Sequence, residues 1–367
     1  MSYIAEYHPR INTITVSAQR ETPIKSISIN HGLCLLGDQN DITKYTLPAV
    51  RDDFTHSYVI TKVNATPSSD IINVSIDVKS DQQRSSPPTI NSFVEHQLIS
   101  KWCCKYLQLH TPQDGVTRTN EFRFVCGQCS NSIIDSKEFK FMDMPSEWWH
   151  ELMEFWHCHK PHDNSDGALN NYNGILKPKL GSIIIGTYYL LINSEQQHTL
   201  PLSIVAETVC CSKCSFKLGE YNKQGQFFKI MKWHINLSYN DGTIEKFKQN
   251  IYLYDVLMDR LNITASRWFQ TKLNDDQWLH LWLINVGSLV IINGKSLTNA
   301  LKLGFRIDNM ELSGRDNLET LTFAENNANI LADLLSTVHE WIKPFVPPIK
   351  SLDGEYQISY LSPDDII

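Results

Sequence analysis

The chain has 367 residues, of which 42% are hydrophobic and 20% charged, the composition of a folded soluble protein with room for two domains or one large one. Its formal charge of -7 argues against broad phosphate binding, and hence against direct nucleic-acid recognition, because that requires a basic face. No stretch reaches the roughly 18 uninterrupted apolar residues of a membrane span. The start, Met1 to Glu6, lacks the basic and apolar regions of a signal peptide, so a cytosolic or nuclear location is expected.

Residues 1 to 80 read as strands. Ile72, Val74, Ile76 and Val78 alternate with polar residues, as do Ile27 and Ile29, giving the two-residue period of half-buried strands. The polar stretch from Ser80 to Pro88 ends in two prolines and marks a loop or linker. Phe122 and Phe124 alternate into Cys126. Pro145-Ser146 then opens a helix with Ser146 as N-cap, carrying Trp148, Trp149, Leu152, Met153, Phe155 and Trp156. That helix reads either as a core element or as a surface for a partner, and Pro161 limits it. Ile183 to Leu191 and Phe228 to Leu237 read as strands, Ile251 to Leu261 as helix, and Leu279 to Ile292 as strand. Ala328 to Ile342 reads as a helix with Leu331, Leu334, Leu335, Val338, Trp341 and Ile342 on one face, stopped by Pro344; an extended tail follows.

Two Cys-x-x-Cys pairs, Cys126-Gly127-Gln128-Cys129 and Cys211-Ser212-Lys213-Cys214, are each half of a tetrahedral zinc site. One pair alone also fits two ordinary thiols. Two pairs in one chain favour a single four-sulfur structural Zn2+ that clips distant segments together. Neither pair sits in the βαβ pattern of a thioredoxin-like redox motif. Cys158 lies between His157 and His159, which fits an extra metal ligand, an imidazole-activated thiol or a packed helix end. Cys210 adjoins the second pair, and Cys34, Cys103 and Cys104 read as core residues. The chain holds no His-Glu-x-x-His, phosphate-cradling loop or Gly-x-Ser-x-Gly, so hydrolase and nucleotide-binding classes have no support.

Four blocks occur in a recognisable order: Cys126 to Cys129; Pro145 to Trp148 leading into Glu151 to His159; Leu176 to Gly181 with Ile185 to Tyr189; and Cys211 to Gly219. This order resembles the HECT-like proteins that bind ubiquitin-conjugating enzymes. The resemblance implies a ubiquitin-conjugating enzyme as partner and ubiquitin-ligase activity of a HECT-like kind, and fungal members are linked to pre-mRNA 3′-end cleavage and polyadenylation. One departure matters. A HECT ligase carries ubiquitin as a thioester on a cysteine near its C-terminus, whereas the last cysteine here is Cys214. A thioester route would therefore use an earlier cysteine, for which Cys158 is the candidate catalytic residue.

The sequence thus divides into a β-rich N-terminal region (1–80), a linker or loop (81–92), a zinc-clipped central region (93–240) and an α+β C-terminal region (241–367). The expected fold class is α+β with strand dominant: an antiparallel N-terminal β region and a mixed α/β remainder. The expected metal ligands are Cys126, Cys129, Cys211 and Cys214. Two functions are carried forward. One is a ubiquitin-ligase-like protein that binds a conjugating enzyme and promotes transfer. The other is a non-catalytic, zinc-stabilised binding protein that stabilises a partner such as a subunit of the mRNA 3′-end processing machinery.

Overall fold

The computed structural model describes residues 2–9, 11–19, 24–29, 33–37, 42–48, 56–65, 70–80, 101–109, 121–144 and 177–363. The expected linker at 81–92, the helix from Ser146 and Cys158 with its flanking histidines lie outside these residues. The chain divides into two compact units: Met1–Phe93 with Leu253–Ile367, and Val94–Tyr252. Strands from the stretches 1–80 and 253–367, far apart in sequence, share the first unit's main sheet.

The N-terminal strands of the first unit are β1 (Tyr3–His8), β2 (Thr13–Gln19), β3 (Ile24–Ile29), β4 (Leu33–Gly37), β5 (Ile42–Tyr45), β6 (His56–Ala65) and β7 (Ile71–Ser80). Alternation decides their pairing. Ile14, Val16 and Ala18 stand opposite Ile76, Val74 and Ile72 in the antiparallel β2–β7 register, so both apolar rows fall on one face. Those residues are buried together with Tyr3, Ala5, Leu33, Tyr45 and Ile291 in one core. Strands β3, β4 and β5 form a separate three-stranded sheet.

Among the described residues the second unit has helix α1 (Cys104–Leu109), β8 (Phe122–Cys126), β9 (Ser132–Asp135), β10 (Lys140–Asp143), β11 (Ser182–Ile185) and β12 (Tyr189–Asn193). It continues through β13 (Leu202–Val205), β14 (Thr208–Cys211), β15 (Lys217–Asn222), β16 (Phe227–Met231), β17 (Ile235–Tyr239) and β18 (Ile244–Lys246). These make a seven-stranded sheet, β10-β11-β12-β16-β15-β14-β13, and a four-stranded sheet, β18-β17-β8-β9. Two runs expected from the sequence to be single strands are interrupted. Ile183 to Leu191 is not one strand but the hairpin β11–β12, broken at Gly186, where an added Cβ would lie 2.6 Å from the Tyr189 ring. Phe228 to Leu237 is interrupted by a turn at Lys232–His234, because the Lys232 ammonium is buried and donates to the carbonyls of Lys101 and Thr187, each at 3.0 Å.

The chain then runs through helix α2 (Gln249–Thr264), β19 (Trp268–Asn274), β20 (Gln277–Ile292), β21 (Lys295–Asp308), β22 (Leu318–Thr320), helix α3 (Asn327–Ile342), β23 (Ile349–Ser351) and β24 (Gly354–Leu361). Asn293 and Gly294, both at positive φ, turn β20 into β21, the two-residue hairpin that an Asn-Gly pair favours. The main sheet of the first unit has ten strands, with β23-β24-β21-β20-β1-β2-β7-β6 in order, β19 paired to β20 and β22 paired to β19. Helix α3 buries Leu331, Leu335, Val338 and Ile342 as the sequence predicts, with Ala328, Ala332 and His339, while Leu334 and Trp341 are half-buried. The fold is α+β and strand-dominant. No helix among the described residues is long and apolar enough to cross a membrane.

Two histidines make the first unit sensitive to acid. His280 is fully buried, and its Nε2–H donates to the Met310 carbonyl at 3.0 Å. Protonation would add a second N–H at Nδ1, a buried atom with no acceptor among the described residues. Burial, helped by Arg306, holds His280 below the ordinary histidine value. At His8 burial outweighs the raising effect of Glu6, and Lys302 adds to the lowering. The unfolded chain therefore takes up protons near pH 6.5 while the folded chain does not. Stability from these groups is full above that pH and declines as pH falls toward the lowered folded values. Hydrogen-exchange protection of β20 and β21 is expected to drop between pH 7.5 and 5.5, and His280→Gln, which keeps an N–H for Met310, to flatten that slope.

Candidate metal centre

Both Cys-x-x-Cys pairs sit at the turns of β-hairpins, β8–β9 and β14–β15, and the two turns share one backbone pattern. The Cys126 N–H donates to the Asn131 carbonyl at 2.8 Å and the Ser130 N–H to the Cys126 carbonyl at 2.9 Å. In the second turn the Cys211 N–H donates to the Phe216 carbonyl and the Ser215 N–H to the Cys211 carbonyl, both at 2.9 Å. Each pair is followed by a serine in the left-handed region, Ser130 at φ 57° and Ser215 at φ 59°. The residue after the first cysteine also has the same role in each turn: Gly127 N–H donates to the His234 carbonyl and Ser212 N–H to that of Pro201, each at 3.0 Å. A Cβ at Gly127 would lie 2.8 Å from the His234 oxygen, so only glycine allows that approach.

The two knuckles face each other about a local two-fold. Cys126 Sγ lies 3.7 Å from Cys214 Sγ, and Cys129 Sγ lies 3.7 Å from Cys211 Sγ, so the first cysteine of each pair meets the second of the other. All four sulfurs lie within 4.8 Å of one another. Four sulfurs at about 2.3 Å from a tetrahedral ion stand about 3.8 Å apart, so the arrangement fits a metal ion. It does not fit disulfides, whose sulfurs are about 2.0 Å apart, and all four cysteines are free. Cys126 and Cys211 are fully buried, and Cys129 and Cys214 are half-buried.

The two buried thiols are held differently. Burial pushes the Cys126 thiol up to about 12, against the lowering effect of the Cys129 and Gln128 amides. At Cys211 burial is overcome by the Lys213 and Cys214 amides, which bring the thiol down to about 7. Holding four thiolates together requires a cation at their centre. Because all four tetrahedral positions are filled by sulfur, such a centre is structural rather than catalytic.

The remaining thiols among the described residues do not join this cluster. Cys103 and Cys104 are half-buried rather than in the core, and Cys210 is buried in β14. Burial, then the neighbouring Asp143, raises the Cys104 thiol to about 12, which makes it a poor nucleophile at neutral pH. The Cys34 side chain and Cys158 lie outside what the structure describes. Sequence reasoning missed Asn131, whose amide nitrogen lies 3.8 Å from Cys211 Sγ. It also missed the serine that closes each knuckle, although Cys-x-x-Cys-Ser occurs in both and is the signal for it. Gly219 ends the fourth sequence block because a Cβ there would lie 1.9 Å from the Lys229 carbonyl oxygen of the paired strand β16.

Fold and site together define a strand-dominant α+β protein with a closed, two-fold four-cysteine centre. The chain belongs to the family described as HECT-like ubiquitin-conjugating enzyme (E2)-binding, whose model matches residues 6–342. It is 24% identical over 369 residues to an uncharacterized protein of Saccharomyces cerevisiae, covering 99% of each chain. It is also 24% identical over 218 residues to an E3 ubiquitin-protein ligase of Rattus norvegicus, and 25% identical over 217 residues to the Mus musculus ligase of the same name. Those two matches cover 57% of this chain and 50% and 51% of the ligases, so the chain spans about half of their length. No solved structure matches.

Proposed function

We propose that this chain binds a ubiquitin-conjugating enzyme and promotes ubiquitin transfer by holding the charged enzyme in a productive pose, with a structural zinc in the four-cysteine centre. The observation that carries this reading is the family match over residues 6–342, with the two rodent ubiquitin-protein ligases among the relatives. The metal, when bound, supplies a fixed cross-link and no open coordination position. The chain's own residues do the rest: the paired knuckles hold the hairpins β8–β9 and β14–β15 at one point. Zinc is the ion assigned because a four-thiolate tetrahedral set is typical of it.

A positioning route fits Cys104 and Cys210 better than a covalent one, since Cys104 is a weak nucleophile and Cys210 is buried. Cys158 is the position at which the covalent route is to be tested. The second reading, a zinc-stabilised scaffold without catalytic part that stabilises a partner, is favoured by one observation, the closed sulfur set. The pre-mRNA 3′-end machinery as that partner rests on the sequence resemblance alone.

Calorimetric titration of the full chain with a panel of ubiquitin-conjugating enzymes tests the binding claim. Saturable one-to-one binding to at least one of them is expected. Absence of heat across the whole panel, with a metal-loaded and folded chain, would rule the claim out.

A further inference from the structure

We propose that Asn131 is a retention residue of the metal centre, tying the two knuckles together and slowing metal loss. This rests on the reading of the four cysteines as a zinc site. Asn131 belongs to the first knuckle, where its carbonyl accepts the Cys126 N–H at 2.8 Å. Its side-chain amide nitrogen reaches the second knuckle, 3.8 Å from Cys211 Sγ. One residue therefore fixes one ligand through its backbone and another, on the opposite hairpin, through its side chain.

The local two-fold shows that this bridge is not a by-product of knuckle folding. The residue equivalent to Asn131 in the second knuckle is Phe216, whose carbonyl accepts the Cys211 N–H at 2.9 Å. Its side chain is apolar and packs edge-on against His234, with ring centroids 5.4 Å apart. The backbone turn thus forms equally well with Asn or Phe, and of these two equivalent residues Asn131 is the one that provides a side-chain donor across the centre. Cys211 is fully buried, so water cannot replace that donor.

Metal release from a two-hairpin clip requires the hairpins to part. A hydrogen bond spanning them opposes that step, whereas bonds within one knuckle do not. Groups that hydrogen-bond to metal ligands typically change affinity by 10–100-fold when removed. The 3.8 Å separation places Asn131 at the low end, about tenfold.

The test uses the full chain loaded with zinc, following metal transfer to a chromogenic chelator, together with the absorption spectrum of the cobalt(II)-loaded chain. Asn131→Leu removes the donor, and Asn131→Asp removes it at unchanged size. Both are expected to release zinc about tenfold faster than wild type, with the cobalt–thiolate charge-transfer band of Asn131→Leu moved to lower energy. Asn131→Gln, which keeps an amide, is expected to lie nearer wild type in both measurements. Wild-type release rates in the Leu and Asp variants, or an unmoved cobalt band in the Leu variant, would overturn the proposal while leaving the zinc site standing. A folded wild-type chain with no metal would remove the zinc site itself, and this inference with it.

Discussion

Cys211→Ser is expected to leave the chain without its metal and to unfold much of the unit Val94–Tyr252. The four cysteines come from two hairpins in different sheets: β8–β9 in the four-stranded sheet and β14–β15 in the seven-stranded one. Structural zinc sites of this ligand type have apparent binding free energies of about 10–16 kcal/mol near pH 7. That matches or exceeds the whole stability of a typical domain, about 5–15 kcal/mol, so losing it leaves the unit little to stand on. Serine in place of Cys211 removes a fully buried sulfur that also receives the Lys213 and Cys214 amides. Hydrogen exchange read by mass spectrometry should show loss of protection in β8, β9, β14 and β15. The unit Met1–Phe93 with Leu253–Ile367 supplies none of these four cysteines, so β2, β7, β20 and β21 should keep their protection. Wild-type protection of the knuckle hairpins in the variant would show that the sulfurs do not hold them.

The second large effect is expected at Glu6. Its carboxylate Oε2 is buried on β1 and accepts the Lys302 ammonium at 2.6 Å and the Tyr360 hydroxyl at 2.9 Å. These partners lie on β21 and β24, so one carboxylate pins the first strand of the chain to two of the last. Glu6→Ala leaves a mostly buried ammonium and a fully buried hydroxyl without their acceptor, at a cost of about 3 kcal/mol. The cost comes from uncompensated burial more than from lost attraction, and this gives the prediction its second arm. Glu6→Ala combined with Lys302→Met should be more stable than Glu6→Ala alone, because the stranded charge is gone. Urea unfolding followed by fluorescence and by exchange in β1 measures both variants. A double variant no better than Glu6→Ala would mean that the ion pair is not the source of the effect.

The elements that were legible in the sequence are those whose pattern is complete within a short window. Ile72 to Val78 in β7, Leu279 to Ile292 within β20 and the α3 face from Leu331 to Ile342 all carry their period locally, and each forms as read. The four cysteines were legible too, because spacing alone identifies a half-site, and the fold brings both halves together. Pairing between distant strands was not. Nothing in Tyr3–His8 marks β20 as its neighbour, since the register Ile4↔Ile292 to Tyr7↔Leu289 depends on which apolar faces meet after folding. Chain breaks were lost for a different reason. Gly186 and Lys232 sit inside apolar runs, and the ring of Tyr189 and the carbonyls that claim Lys232 become visible only in three dimensions. Asn131 carries no motif at all. Its role depends on a sulfur 80 residues away in the chain.

The central claim is that this family member promotes ubiquitin transfer by holding a charged conjugating enzyme rather than by taking ubiquitin onto itself. Single-turnover discharge of a ubiquitin-charged conjugating enzyme that the chain binds, with free lysine as acceptor, tests it most directly. The account predicts faster discharge with the wild-type chain, an equal effect with Cys158→Ser, and no thiol-sensitive ubiquitin adduct on the chain. A thioester that forms on the chain and disappears with Cys158→Ser, or no acceleration despite binding, would contradict it.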